Sequence, residues 1–235
     1  MLKGDFCNLK WHKKPLRGSI IFGKLFFRSK KGSKNGGNMS GRIITISREF
    51  GSGGRTIGKM LAERLDIPCY DRVIMDQIAE KSGFSIEYIK EHGEYAAAPT
   101  ALGNAFARYG ISGLSLQDRI WQIQCELIRN AAEEGPCVIV GRCADYILRD
   151  RDDLLKVFIH ASIEFRQNRI VNVYGETEEA PEKRLRDKDR RRKEYYRFYT
   201  DTEWGLVQNY DISLDSGRFG IDKCVGFLEG LYNHL

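Results

Sequence analysis

The feature that most restricts the fold is a strand-like run, Arg42-Ile-Ile-Thr-Ile-Ser47, followed at once by a glycine-rich turn and then by apolar residues at helical spacing. β-Branched residues pack well on a pleated surface, so the run reads as a short strand. Ile57, Met60, Leu61 and Leu65 recur every three or four residues and predict a helix over 55–65. Between the two stands Arg48-Glu-Phe-Gly51-Ser52-Gly53-Gly54-Arg55-Thr56. A strand, a glycine turn and a helix N-terminus gather several backbone N–H groups and the positive end of the helix dipole around one concavity, which suits a phosphate group. The plainer alternative is a tight turn with no ligand.

The rest of the chain repeats this alternation. An extended piece over 68–71 leads into a helix over 73–82, and an amphipathic helix over 117–134 ends at Gly135-Pro136 before the apolar strand 137–140. Further strands are predicted over 154–159 and 210–214, and helices over 162–173, 182–199 and 221–232. The Gly- and Ala-rich stretch 93–116 has no dominant period and reads as a loop-rich insert. Short strands separated by helices specify an α/β fold with a mostly parallel sheet covered on both faces, whose ligands sit beyond the carboxyl ends of the strands.

Charge is unevenly placed. The chain of 235 residues has a net charge of +6, yet residues 1–38 carry ten Lys/Arg against Asp5 alone, which leaves residues 39–235 mildly acidic. The overall basicity therefore says little about the ligand of the folded part. Residues 1–38 read as a basic, disordered extension, with translation beginning at Met39 as one explanation. Their apolar run, Ser19 to Phe27, is far below the ~20 residues of a membrane span and has no small-residue cleavage site after it. Cys7, Cys69, Cys125, Cys137, Cys143 and Cys224 have no C-x-x-C spacing, which argues against zinc and against a disulfide framework and favours a reducing, cytoplasmic setting.

The glycine turn is an imperfect match to the Walker pattern G-x-x-x-x-G-K-[ST]. With Gly54-Arg55-Thr56 in place of G-K-T, arginine replaces lysine and Glu49 replaces the first glycine; with Gly53 as the last glycine, Gly54 takes the lysine position and Arg55 the hydroxyl position. In either register the cation must come from Arg55, Arg48 or elsewhere. Lysine is a point charge whereas arginine is a planar fork, so the two are not equivalent.

Several segments carry a family resemblance in chain order. Ile44-Thr-Ile46, Gly51-x-Gly53, Thr56, Lys59, Ala62-Glu63, Leu65 and Asp71 resemble the opening of bacterial cytidylate kinases. Cys137-Val-Ile-Val-Gly141-Arg142, the run Lys156 to Ser162 with Glu164 and Arg166, the basic segment 184–192 and Asp211-Ile-Ser-Leu-Asp215 resemble their later strands, helix and lid. The likeness covers roughly 42–235 and is strongest to cytidylate kinase-like proteins with a Ser-Arg-Glu-Phe-Gly-Ser-Gly-Gly-Arg loop. Cys143 and His160 stand where that family has acids.

The resemblance implies a P-loop NTPase-type parallel sheet with helices on both faces and a helical basic lid over about 176–204. It implies a kinase that moves the γ-phosphate of ATP, bound with Mg²⁺, to a nucleoside monophosphate of CMP type. Gly51, Ser52, Gly53, Gly54, Arg55 and Thr56 would hold the triphosphate, with Thr56 also reaching the magnesium. Asp71 and Arg142 would hold the acceptor; as plainer alternatives, Asp71 caps the following helix and Arg142 pairs at the surface with Asp145 or Asp150. Phosphoryl transfer runs on positioning and on cations that neutralise the transferred group, which gives Arg55, Arg186, Arg190 and Arg191 the catalytic role. Two alternatives stay open: a non-catalytic nucleotide sensor, and an RNA-binding protein that uses the basic lid, where Tyr195, Tyr196 and Tyr199 interleave with the charges.

Overall fold

The computed structural model describes residues 42–71, 73–85, 116–175 and 180–234. Within these, the expected alternation is realised as five strands: β1 (Ile43–Arg48), β2 (Cys69–Tyr70), β3 (Cys137–Val140), β4 (Leu154–His160) and β5 (Ile212–Asp215). The helices are α1 (Gly54–Leu65), α2 (Val73–Ser82), α3 (Leu116–Glu134), α4 (Ala144–Ile147), α5 (Ile163–Asn172), α6 (Pro181–Thr200), α7 (Ser216–Phe219) and α8 (Ile221–His234), with a single 3-10 turn at Val207–Asn209. The predicted strand over 210–214 starts later, at Ile212, because Tyr210 and Asp211 end the preceding turn. The short helices α4 and α7 span barely one turn each and leave no periodic signal. The extension 1–38 and all of the insert 93–116 except Leu116 lie outside the described residues.

The sheet is parallel throughout, in the order β2-β3-β1-β4-β5. β1 is central, with Ile43 opposite Cys137 on one side and Leu154 on the other. The chain crosses to one side of β1 for β2 and β3 and to the other for β4 and β5, so the loop leaving β1 opens at the point where the crossovers diverge, the usual ligand crevice of such sheets.

Alternation along the strands divides the core. Ile44, Ile46, Val138, Val140, Val157 and Ile159 face α1 and α8, packing on Ile57, Leu61, Val225 and Leu228. Ile43, Ile139 and Phe158 face the opposite layer with Ile74, Ile78, Ile120 and Ile128. Each fully buried side chain of this kind contributes on the order of 1.5–3 kcal/mol. Aromatic contacts tie the C-terminal half of α6 to α3: Trp121 stacks on Tyr199 at 4.3 Å and meets Tyr195 edge-on at 6.1 Å. Cys125, Cys137, Cys143 and Cys224 are buried, Cys69 is half-buried, and all five are free thiols. No helix among the described residues is long and apolar enough to cross a membrane.

Candidate functional site

Beyond Arg48 the chain turns back through Gly51 (φ 80°) and Gly53 (φ 83°) into α1. Gly53 needs its left-handed φ, which a side chain would disfavour. Gly54 needs its bareness for a different reason: a Cβ there would lie 2.5 Å from Arg48 Cβ, an atom fixed to the backbone. Ser52 is wholly buried, its hydroxyl shared between the carbonyls of Glu49 (2.9 Å) and Ile159 (3.1 Å), so it braces the loop rather than facing a ligand. Ser216 Oγ braces it from behind, 2.5 Å from the Ser52 carbonyl.

No side chain caps the N-terminus of α1. The first intrahelical bond runs from Ile57 N–H to the Gly53 carbonyl, which leaves the N–H groups of Gly54, Arg55 and Thr56 directed out of the helix end. These donors, with the helix dipole behind them, are of the kind that can receive an anion.

The cation beside the receptor comes from α5. Arg169 Nη2 donates to Thr56 Oγ1 at 2.9 Å, its Nε is buried with no hydrogen-bond partner, and its guanidinium lies over the Tyr174 ring at 5.7 Å. Arg55, the loop's own cation, instead contacts Asp71 at the end of β2, Nε to Oδ2 2.7 Å. Two residues expected on opposite sides of the reaction are thus joined. Arg142 departs from a surface role. It is 5% exposed, follows Gly141 in a left-handed conformation (φ 61°) that Cys143 shares (φ 53°), and its carbonyl accepts from Gln124 Nε2 at 2.9 Å. Two successive non-glycine residues at positive φ cost on the order of 1–2 kcal/mol each, and the buried hydrogen bonds of this elbow hold them.

Among the basic residues of α6 singled out from sequence, Arg186 and Arg190 form ion pairs within their own helix. Arg186 pairs with Glu182 (2.5 Å) and Arg190 with Asp187 (2.8 Å), both largely exposed, and Arg191 is half-buried. Arg186 and Arg190 line a cleft of about 370 Å³ with Glu49, Arg166, Asp189 and Trp204, and its walls include none of the glycine turn, Asp71 or Arg142. The α6 residues that contact the loop include Asp189, Arg192 and Lys188, whose Nζ lies over the Phe50 ring at 6.0 Å. Asp189 Oδ1 accepts from Phe50 N–H at 2.7 Å and its Oδ2 from Arg166 Nη1 at 2.6 Å; Arg192 Nη1 donates to the Arg48 carbonyl at 3.0 Å. Glu49, in the place of the first Walker glycine, accepts from Ala161 N–H at 3.2 Å and lies 3.5 Å from Arg166 Nε. Sequence reading missed Arg169 and Asp189, and it placed Arg192 in the basic lid segment without its bond to the loop. For Arg169 the available signal was its position three residues after Arg166, one turn along the same helix face.

A buried acid lies behind this array. Asp145 is 3% exposed; its Oδ2 accepts from Tyr196 Oη of α6 at 3.0 Å and its Oδ1 has no hydrogen-bond partner. Burial pushes its carboxyl up to about 6, against the hydroxyls of Tyr196 and Tyr210, which act to lower it. Beside Asp71, burial and that carboxylate push the Cys69 thiol up to about 11, so it stays protonated. No group of three or more His, Cys, Asp or Glu among the described residues is arranged for a metal. Thr56 Oγ1, the expected magnesium ligand, is already bonded to a cation. The described residues thus do not fit a resident metal, and any Mg²⁺ would arrive with a triphosphate as part of the substrate.

Known proteins resemble this chain in sequence and in fold. A cytidylate kinase from Archaeoglobus fulgidus is 30% identical over 187 residues, 77% of this chain and 89% of that protein. A cytidylate kinase from Pyrococcus horikoshii is 26% identical over 195 residues, 82% and 89%. The crystal structure of an uncharacterized protein from Eubacterium ventriosum superposes with a TM-score of 0.62 at 28% identity, covering 83% of this chain and 99% of that one. Shikimate kinase from Bacteroides thetaiotaomicron shares the fold at 15% identity, with a TM-score of 0.51 over 82% and 98% of the two chains. With the family model matching residues 43–218, the chain belongs to the cytidylate kinase-like family.

Proposed function

We propose that this chain transfers the γ-phosphoryl group of a magnesium-bound nucleoside triphosphate to a nucleoside monophosphate, with CMP the preferred acceptor. The observation that carries the reading is the uncapped N-terminus of α1 with the Arg169 guanidinium at its edge: open N–H donors with a cation beside them. The triphosphate lies along Gly51–Thr56, and Arg169 supplies the charge that lysine gives in related loops. The acceptor lies near Asp71 and Arg142. One oxygen of its phosphate attacks the γ-phosphorus as the bond to the β–γ bridging oxygen breaks, and the diphosphate leaves; a phosphate nucleophile needs no general base. Helix α6 acts as the lid, with Asp189 and Arg192 as its hinge on the loop and Arg186, Arg190 and Arg191 as the cations able to swing toward the transferred group. The names of the curated relatives favour CMP as acceptor.

The test is transfer of label from γ-labelled ATP to a panel of nucleoside monophosphates. Labelled CDP is expected to form fastest, and no labelled diphosphate with any acceptor refutes the reading. A second reading, a non-catalytic sensor, draws on the replacement of the loop lysine by an arginine that contacts Asp71. It requires triphosphate binding without transfer.

A further inference from the structure

Arg55 is the second residue of the helix whose N-terminus receives the triphosphate, and Asp71 is the first residue beyond β2, on the acceptor side. Their contact crosses from one half-site to the other. Asp71 is 7% exposed, whereas the Arg55 side chain is 39% exposed. The contact is close, 2.7 Å, yet Asp71 Oδ2 is buried with no hydrogen-bond partner, so the Nε–H bond does not point along the line between the atoms. The attraction is that of two charges in contact. Arg55 makes no other ion pair among the described residues, which leaves the two Nη groups of its fork for a ligand.

We infer that Arg55 is a bridging guanidinium: Asp71 holds it over the gap between the half-sites, and its two Nη groups take one oxygen from the donor's terminal phosphate and one from the acceptor's phosphate. The inference rests on the kinase reading and specifies how the two anions are brought together. Arginine suits the role where lysine does not, since a planar fork addresses two oxygens at fixed spacing and an ammonium is a single point. Asp71 is then a positioning residue whose charge also keeps the guanidinium from settling on the triphosphate alone. The consequence is thermodynamic. Arg55 contributes little to either ligand by itself and much to both together, so donor and acceptor tighten each other's binding by the same factor.

The experiment is calorimetry on the full chain with a non-transferring imido analogue of ATP and CMP, each titrated alone and in the presence of the other. In the wild-type protein each ligand is expected to tighten the other about tenfold, within the usual range of such couplings. Arg55→Ala should reduce that factor below about twofold and change either lone Kd by less than about threefold. Arg55→Lys, which keeps the charge without the fork, should not restore the coupling, and Asp71→Asn should lower it with the arginine still present. If Arg55→Ala unfolds because Asp71 is left buried without its cation, the double variant Arg55→Ala/Asp71→Asn removes both charges and carries the same readout. Coupling that persists without Arg55 overturns the inference alone, as does a tenfold or greater loss of lone triphosphate affinity in Arg55→Ala, which would make Arg55 a lysine surrogate. A wild-type protein that binds no nucleoside monophosphate overturns the kinase reading as well.

Discussion

Asp145→Asn tests the polar core beneath α6. The carboxyl is fully buried, one oxygen bonded to Tyr196 and the other to nothing. Desolvation disfavours its charged form and outweighs the hydroxyls of Tyr196 and Tyr210. In the unfolded chain the group titrates near its ordinary 3.8, and in the fold near 6. The folded state therefore holds the proton more tightly. The stability this supplies is fully present below about 4 and is lost as pH rises through about 6. The displacement corresponds to roughly 3 kcal/mol of preference for the neutral acid. Asparagine keeps the shape and cannot ionise, so the difference between variant and wild type isolates this one group. At pH 4 and below, the two proteins should unfold at similar denaturant midpoints, and by pH 5 roughly half of the difference should have appeared. At pH 8 the variant should be more stable by up to roughly 3 kcal/mol, or roughly 6–12 °C in Tm for a chain of this size. A stability difference that does not vary between pH 4 and 8 would refute the argument. So would a variant less stable than wild type at pH 8, since that would make the ionised carboxylate a favourable partner in the fold.

Three further outcomes follow from the loop and its neighbours. Gly54→Ala should lower stability by roughly 1–3 kcal/mol in chemical denaturation, because the 2.5 Å approach to Arg48 Cβ outweighs the gain of up to about 1 kcal/mol in helix propensity. Arg169→Ala should weaken triphosphate binding by about ten- to a hundredfold in calorimetry, the loss of one charge-assisted contact. Arg142→Ala should weaken CMP binding by about the same factor and triphosphate binding far less. Arg142→Gly should lose the same affinity while gaining on the order of 1 kcal/mol in stability, since it alone relieves the left-handed backbone at φ 61°.

The elements that position the site were legible because their signals are local. Runs such as Cys137-Val-Ile-Val140 can only be buried strands, and the glycine turn announces its shape through residues whose side chains would clash. The direction of a charge is not local. In the basic run of α6, composition cannot say which arginine faces the body, and reading for charge alone selected Arg186, Arg190 and Arg191. Helical phase separates them: Leu185, Asp189, Arg192 and Tyr196 recur at spacings of four, three and four, and this is the stripe that meets the loop and the core. An acid inside that stripe was the overlooked signal, since a carboxylate on the inward face of a basic helix needs a partner there. Phe50 N–H and Arg166 supply it. Arg142 was misjudged as a possible surface residue because a left-handed elbow between a strand and a one-turn helix has no pattern in sequence.

The loop has no lysine, but cations from elsewhere in the fold surround it. A lysine at the second position of α1 would rise from the loop itself. Here the charge arrives from two other elements: Arg169 and Arg166 on α5 and Arg192 on α6 converge on Thr56, Phe50 and Arg48. All are arginines, whose forks can hold a backbone carbonyl and a phosphate at once. Two of them are already committed to the Asp189 latch, which fixes α6 against the loop. Arg169 has a buried Nε with no hydrogen-bond partner and its Nη2 on a neutral hydroxyl. Of these three it is the cation an anion could recruit at least cost, because giving up a bond to Thr56 strands no opposite charge, whereas drawing Arg166 or Arg192 away would deprive the partly buried Asp189 carboxylate of one of its two cations.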